Sequence, residues 1–319
     1  VSTGVVFISG SGRSGTNITK EILSRHSFVA SLPFEHRFTI DPRGIVEYYR
    51  NIDNWSPYMV DYRLKELGQF LLSLAERNPD MRAVSSHLEK EGKTGHPYVD
   101  WELERWMPGY TVAVHQLIAS LKGFEYQARY PGSEGGVKNN IMYYASPDKG
   151  QAKIAIQEFL EKCHNAVIKK GSQNRFIEDN TWSILFARDL LDLVPEGQMI
   201  HIVRDPRDVI SSYQNQKWTP NKVEYLVVYY RDILKKWQQQ RSMIDPSKYL
   251  EIRFEDLISE PEHTLSRICD RIGLQMESQL LNTDLSRNNI GRHKTALSRK
   301  DIDYIENELS ELGAEYNYF

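Results

Sequence analysis

Residues 10–17 read Gly-Ser-Gly-Arg-Ser-Gly-Thr-Asn, a run whose small residues and single cation suit the binding of a phosphate. Glycines let bare backbone N–H groups approach an anion, and a helix starting directly after them adds its positive end. Gly10 and Gly15 have the spacing of a Walker A loop, but Thr16 and Asn17 follow where that loop carries Lys and then Ser or Thr. The lysine that reaches a γ-phosphate is missing, and Arg13 sits inside the loop instead. The loop is expected to hold a phosphate, but not the triphosphate of ATP or GTP.

A second constellation lies in RDPRDVISSY, residues 204–213. Arg204 closes an apolar run, and Ser212 falls in the first turns of the helix expected next. That spacing brings a forked guanidinium and a hydroxyl to one anion beside a positive helix end. The plainer alternative is that Arg204 pairs with Asp205 or Asp208 and fixes the turn. A carboxylate, Glu35, follows a short apolar run at 28–32, within Phe34-Glu35-His36-Arg37.

These groups act together only if the fold delivers them to one place. Val5 to Ile8, the glycine loop, and Ile18, Ile22 and Leu23 at helical spacing predict strand, loop and helix. Residues 60–77 have the pattern of an amphipathic helix. From about 80 to 150 the texture shifts to glycine clusters, polar stretches and many aromatics, among them Trp101, Trp106, Tyr110, Phe124 and Tyr144. That stretch is expected to shape an acceptor site, its rings either lining the site or filling a helical core. From 152 regularity returns. A helix to about 170 precedes a strand at 175–180, then a helix at 181–194 capped by Asn180 or Thr181. Next come a strand at 199–204, a helix from Val209 to Tyr213, a long helix at 222–243 and a strand at 249–254. A helix at 261–272 stopped by Gly273, a polar loop at 286–294 and a last helix at about 298–312 complete the chain. Strands alternating with helices predict an α/β fold around a mainly parallel sheet. In such a sheet ligands lie beyond the carboxyl ends of the strands, which puts Glu35 and the glycine loop on one edge.

The totals narrow the choice of partner. With 319 residues, 40% apolar and 26% charged, the chain has the composition of a soluble globular protein with a large core. Its 40 basic residues do not exceed its 43 acidic ones, which argues against nucleic-acid binding and makes any polyanion site local. Two cysteines, Cys163 and Cys269, cannot build a disulfide framework and suit a reducing compartment. No apolar run reaches the ~20 residues of a membrane span. A cytoplasmic location is therefore expected, unless a leader or anchor ahead of Val1 has been removed.

GSGRSGTN followed by IHIVRDPRDVISSY resembles the sulfotransferases that use 3′-phosphoadenosine 5′-phosphosulfate. Three further stretches agree. IEDNTW stands where many members have Lys-Thr-Pro, EIRFEDLISEPEHTLSRICDRIGL where Arg-Tyr-Glu-Asp-Leu is usual, and IGRHKTALSRKDIDYIENEL resembles the C-terminal basic loop and closing helix. The resemblance implies a P-loop-like central parallel sheet flanked by helices. It implies one domain over 1–319, with a donor-binding core at about 4–40 and 176–312 and an acceptor-shaping insertion at about 80–150. By position, Ser11, Gly12, Arg13, Ser14, Gly15, Thr16 and Asn17 would bind the 5′-phosphosulfate, with Arg13 at the bridging oxygen. Arg204 and Ser212 would bind the 3′-phosphate, and Arg292 and Lys294 would add to that site. Phe254 stands where an aromatic contacts adenine, usually a Tyr. His293 departs from a common Trp, and Asn180 and Trp182 depart from Lys-Thr-Pro, so Asn180 is expected to offer a neutral hydrogen bond in place of that lysine.

Sulfo transfer, like phosphoryl transfer, needs positioning and charge stabilisation more than covalent help. Backbone N–H groups and Arg13 would stabilise charge growing on the leaving phosphate oxygen. No metal is required, and no metal-ligand spacing is visible. The acceptor hydroxyl must lose a proton, work worth ~10²–10⁴ in rate. Carbohydrate-acting members carry a Glu after the second strand, which makes Glu35 the candidate base, whereas aryl-acting members use a later His. His36 is the reserve, ahead of His87, His96 and His115. Beside Pro33 and Phe34, Glu35 is expected to be partly desolvated, with its pKa raised. The expected reaction moves a sulfo group to a hydroxyl of a carbohydrate or other polar small molecule and leaves adenosine 3′,5′-bisphosphate. Two other classes compete. A P-loop kinase would need Lys at 16 and a Mg²⁺-binding Ser or Thr at 17. A non-catalytic adenine-nucleotide-binding protein would be signalled by neutral residues at 13 and 35. The Lys-rich dimer motif of animal cytosolic members is not recognisable, and the oligomeric state is left open.

Overall fold

A computed structural model describes residues 4–35, 37–76, 101–128, 141–168, 173–286 and 288–319. In chain order the strands are β1 (Gly4–Gly10), β2 (Val29–Ser31), β3 (Phe124–Gln127), β4 (Ile141–Tyr144), β5 (Arg175–Glu178), β6 (Gln198–Val203) and β7 (Tyr249–Arg253). Five of them form one sheet in the order β2-β5-β1-β6-β7, with every neighbouring pair parallel. The α/β class with a central parallel sheet, read from alternating strands and helices, is the one observed. The chain divides into two compact units, residues 1–31 with 171–319, and residues 32–170.

In the first unit β1, β5 and β6 are buried on both faces, as parallel strands between helices must be, while the edge strand β7 is half-buried. Val6 and Ile8 of β1 lie in one core cluster with Ile200 and Ile202 of β6, Ile252 of β7, and Ile22 and Leu23 of the helix Thr16–Leu23. Connections leave adjacent strands in opposite directions: β1 leads toward β2 on one side, and β6 leads to β7 on the other. Such a divergence opens a crevice at the carboxyl ends of β1 and β6, where α/β proteins place their ligands.

Several boundaries differ from the sequence expectation, each for a local reason. The helix expected from Val209 starts at Pro206, because Asp205 caps it through the Arg207 N–H at 2.9 Å and proline suits the first helical position. The segment after β5 opens as a 3₁₀ turn, Ser183–Phe186, before the helix Ala187–Leu193, and no side chain caps that turn. The closing helix breaks at Leu309 into Arg299–Glu308 and Ser310–Glu315. A short helix, His293–Ala296, interrupts the expected tail loop.

The second unit is built on the helices Pro57–Ser73, Tyr110–Leu121 and Lys149–Val167. Ser56 and Asp148 cap two of them. Phe38, Tyr110 and Phe159 meet with ring centroids 6.0–6.1 Å apart and fill its core. The antiparallel hairpin β3–β4 was not foreseen from the sequence. Buried Asp61 ties β4 to the first helix, accepting the Tyr143 N–H at 2.8 Å while pairing with Lys65 at 2.7 Å.

Candidate active site

The glycine loop follows β1 directly, and its backbone is set by three left-handed residues: Gly12 (φ 88°), Arg13 (φ 57°) and Gly15 (φ 106°). Gly15 is required on two counts. Its φ strains any L side chain, and a Cβ there would collide with the Phe254 ring. Gly15 stands at the N-terminus of the helix Thr16–Leu23, where no side chain caps the first N–H groups. Those donors, with the helix dipole behind them, are left without a side-chain cap, an arrangement that suits an anion. The Gly10 N–H donates to the Thr181 carbonyl at 2.9 Å, and the Tyr213 hydroxyl donates to the Ser11 carbonyl.

Arg204 follows β6, on the strand next to β1. The two constellations meet here. Arg13 Nε donates to Ser212 Oγ at 3.0 Å, and an Arg204 NH1 donates to the Arg13 carbonyl at 3.2 Å. The left-handed turn at Arg13 is what directs that carbonyl toward Arg204. The other terminal nitrogen of Arg204 donates to the carbonyls of Asn288 (3.2 Å) and Asn289 (2.7 Å) in the tail loop. The pairing with Asp208 weighed from sequence is long, at 3.8 Å, and Asp205 is engaged by Arg207 at 2.7 Å. The turn is therefore not held by an Arg204–carboxylate pair alone.

Burial lowers the Arg204 pKa; the carboxylates of Asp208 and Glu255 oppose this, and the guanidinium groups of Arg292 and Arg13 lower it further. The guanidinium remains charged at any ordinary pH. Three arginines thus share one edge. Their mutual repulsion is partly offset by the carboxylates of Asp208 and Glu255, and an added anion would offset it further. Ser14 Oγ, Asn180 Nδ2, Arg204 Nε and Arg292 Nε are among the buried polar atoms without a hydrogen-bond partner. All four fit the recognition of a polyanionic ligand, three of them as N–H donors.

The remaining expected residues divide. Ser11, Gly12 and Ser14 are buried in the loop, Thr16 is buried at the first helical position, and Asn17 is exposed beside it. Phe254 is 3% exposed, its ring packed on Gly15 and 4.9 Å from the Arg204 guanidinium carbon. Lys294 is exposed on the short helix after Arg292. Glu35 belongs to the second unit and is half-buried. Its neighbour Phe34 stacks on Trp101 (5.2 Å, 17°) and meets Trp106 edge-on (6.1 Å, 82°). His36, His87 and His96 lie outside the described residues, and His115 is exposed. Among the described residues no group of three His, Cys, Asp or Glu is placed to hold a metal ion. No helix among them is long and apolar enough to cross a membrane.

Two residues of the site were missed from sequence. Asp208 is fully buried and binds the tail loop, accepting from the Gly291 N–H at 2.7 Å and the His293 N–H at 3.0 Å. Trp218, with Tyr213 and Thr181, packs around Gly12. From sequence Asp208 was weighed only as a partner of Arg204, and nothing local pointed to the tail loop.

Among solved structures, the fold is similar to the sulfotransferase domain of the Synechococcus PCC 7002 olefin synthase. The identity is 17%, with 95% of this chain and 82% of that chain covered and a TM-score of 0.44. A sulfotransferase from Alicyclobacillus acidocaldarius matches at 12% identity over 100% and 98% of the two chains, with a TM-score of 0.43. One from Mycobacterium avium matches at 10% identity over 99% and 77%, with a TM-score of 0.45. A search of curated protein sequences finds no match. The sequence profile of the sulfotransferase family matches residues 5–278, a span that holds β1, the glycine loop and the Arg204 segment, and the chain belongs to that family.

Proposed function

We propose that this sulfotransferase takes its sulfo group from 3′-phosphoadenosine 5′-phosphosulfate and passes it to a hydroxyl of a carbohydrate or other polar small molecule. The observation that carries the reading is the meeting of Arg13, Ser212 and Arg204 at one sheet edge, around a glycine loop that lacks the Walker lysine. A donor with two separate phosphate positions matches that pairing of anion elements. The donor supplies an activated sulfo group, so no metal is required of the protein.

The chain's own groups then divide the work. N–H groups at the start of the helix Thr16–Leu23, with Arg13, stabilise the negative charge that develops on the leaving phosphate oxygen. Arg204, Ser212 and Arg292 hold the second phosphate and so fix the donor's orientation, with Lys294 contributing at longer range. Phe254 supports Gly15 and the plane of the Arg204 guanidinium. Glu35 accepts the proton of the acceptor hydroxyl as the new oxygen–sulfur bond forms. Its position just after β2, beside the Phe34–Trp101 stack, supports that role, since flat apolar surfaces suit the faces of sugar rings.

Melting curves test the donor. Adenosine 3′,5′-bisphosphate without Mg²⁺ should raise the melting temperature, and Mg-ATP should not. A rise with Mg-ATP alone would overturn the reading. Labelled donor offered with panels of saccharides and small polar alcohols then identifies the acceptor.

A further inference from the structure

Arg292 comes to the Arg204 segment from a loop far along the chain, and something must hold it there against the repulsion of the Arg204 guanidinium. The loop is pinned to the Arg204 segment at four backbone points. Arg204 donates to the carbonyls of Asn288 and Asn289, and Asp208 accepts the N–H groups of Gly291 and His293. Left-handed turns at Asn289 (φ 57°) and Gly291 (φ 75°) reverse the chain between these anchors. Arg292 is therefore the residue between two N–H groups gripped by the same carboxylate.

One more contact closes the arrangement. His293 Nδ1 lies 2.6 Å from Asp208 Oδ1, with both side chains almost wholly buried. A carboxylate only accepts, so Nδ1 carries the hydrogen. Asp208 thus receives three N–H donors from the tail loop while standing 3.8 Å from Arg204. A buried carboxylate so fully paired is rigid, and the loss of any one donor leaves it under-satisfied.

We infer that Asp208 and His293 are positioning residues of the donor site. The pair locks Gly291-Arg292-His293 onto the helix Pro206–Tyr213, holds Arg292 at the Arg204 segment, and so sets the preference for a nucleotide carrying a 3′-phosphate. The inference rests on the donor reading above, because it assumes that this cluster receives that phosphate.

Titration calorimetry on the full chain separates the two claims. Adenosine 3′,5′-bisphosphate and adenosine 5′-phosphate are titrated in parallel, without metal. The wild-type protein should prefer the bisphosphate; equal affinity would overturn the donor reading and the latch with it. His293→Ala and Asp208→Asn should weaken the bisphosphate about tenfold, the factor of one charge-assisted hydrogen bond, and leave the monophosphate unchanged. His293→Asn, which keeps an amide donor near the Nδ1 position, should restore most of the preference. Arg292→Ala should reproduce the loss, and adding His293→Ala to it should cost nothing further. With the wild-type preference intact, an unaltered ratio in His293→Ala, a parallel weakening of both ligands, or fully additive losses would each overturn the latch. If Asp208→Asn does not fold, the His293 pair of variants decides the question.

Discussion

The β1–β6 edge and the rings beside Phe34 are built on different principles. At the edge each group is fixed by backbone: Arg13 sits in a left-handed turn, Arg204 begins where β6 ends, and Asp208 grips the N–H groups of the tail loop. In the second unit the contacts are ring against ring, Phe34 with Trp101 and Trp106, from positions far apart in the chain. On the proposed reading, a donor of fixed charge geometry meets backbone-held groups, whereas an acceptor meets a surface of collected side chains. If the comparison holds, changes at the edge alter donor binding, and changes in the second unit alter transfer without altering donor binding.

The largest separation should come from Glu35→Gln. Turnover is expected to fall by about 10²–10⁴-fold, the usual worth of a general base, with the dissociation constant of adenosine 3′,5′-bisphosphate unchanged. Unchanged turnover would move the base elsewhere. Arg204→Ala is the reverse experiment. Losing charge-assisted hydrogen bonds worth ~1.5–3 kcal/mol should raise the donor dissociation constant about 10- to 100-fold. A normal donor constant in this variant would erase the distinction between the two regions.

A smaller effect should come from the β6–β7 pair. There burial pushes the Glu251 carboxyl up, but the His201 ring, the Trp237 indole and the Tyr316 hydroxyl hold it well below its ordinary value of 4.5. Arg241 completes the set, donating to the other oxygen at 2.6 Å. A depressed folded-state pKa contributes stability that is fully present above 4.5 and is lost as pH falls toward the folded value. Glu251→Gln should therefore cost about 1–2 kcal/mol at pH 7, and the gap from wild type should close as the pH is lowered below that value. Denaturant midpoints at pH 7 and pH 3 check this; a gap that stays constant would remove the carboxylate's charge from the account.

The same contrast explains what the sequence made legible. Gly10 to Asn17 and Arg204 to Ser212 were readable because backbone N–H groups and a helix end demand those residue types at those spacings. The sheet followed from apolar runs such as Met199–Val203, buried on both faces. Asp205-Pro206 also carried a helix-start signal, which the apolar pattern beginning at Val209 obscured. The Asp208–His293 contact left no local trace, because its partners are brought together only by the fold. The β3–β4 hairpin was hidden for a similar reason: two short strands separated by a long glycine- and serine-containing stretch lack a hairpin turn signature. Of the aromatics, Tyr110 proves to be core at 1% exposure while Phe124 stays exposed at 54%, a split that composition cannot resolve.

The finest test lies within the ring layer. Phe34→Leu keeps an apolar side chain but removes the face of the Trp101 stack and the edge contact with Trp106, aromatic terms worth ~0.5–1.5 kcal/mol each. The expected result is a modest fall in melting temperature and a several-fold rise in the KM for the acceptor. The donor dissociation constant should stay at the wild-type value, since no group that holds the phosphates has been touched. A donor constant that rises with the acceptor KM would mean that the rings help shape the phosphate pocket as well, and the two regions could no longer be treated as separate instruments.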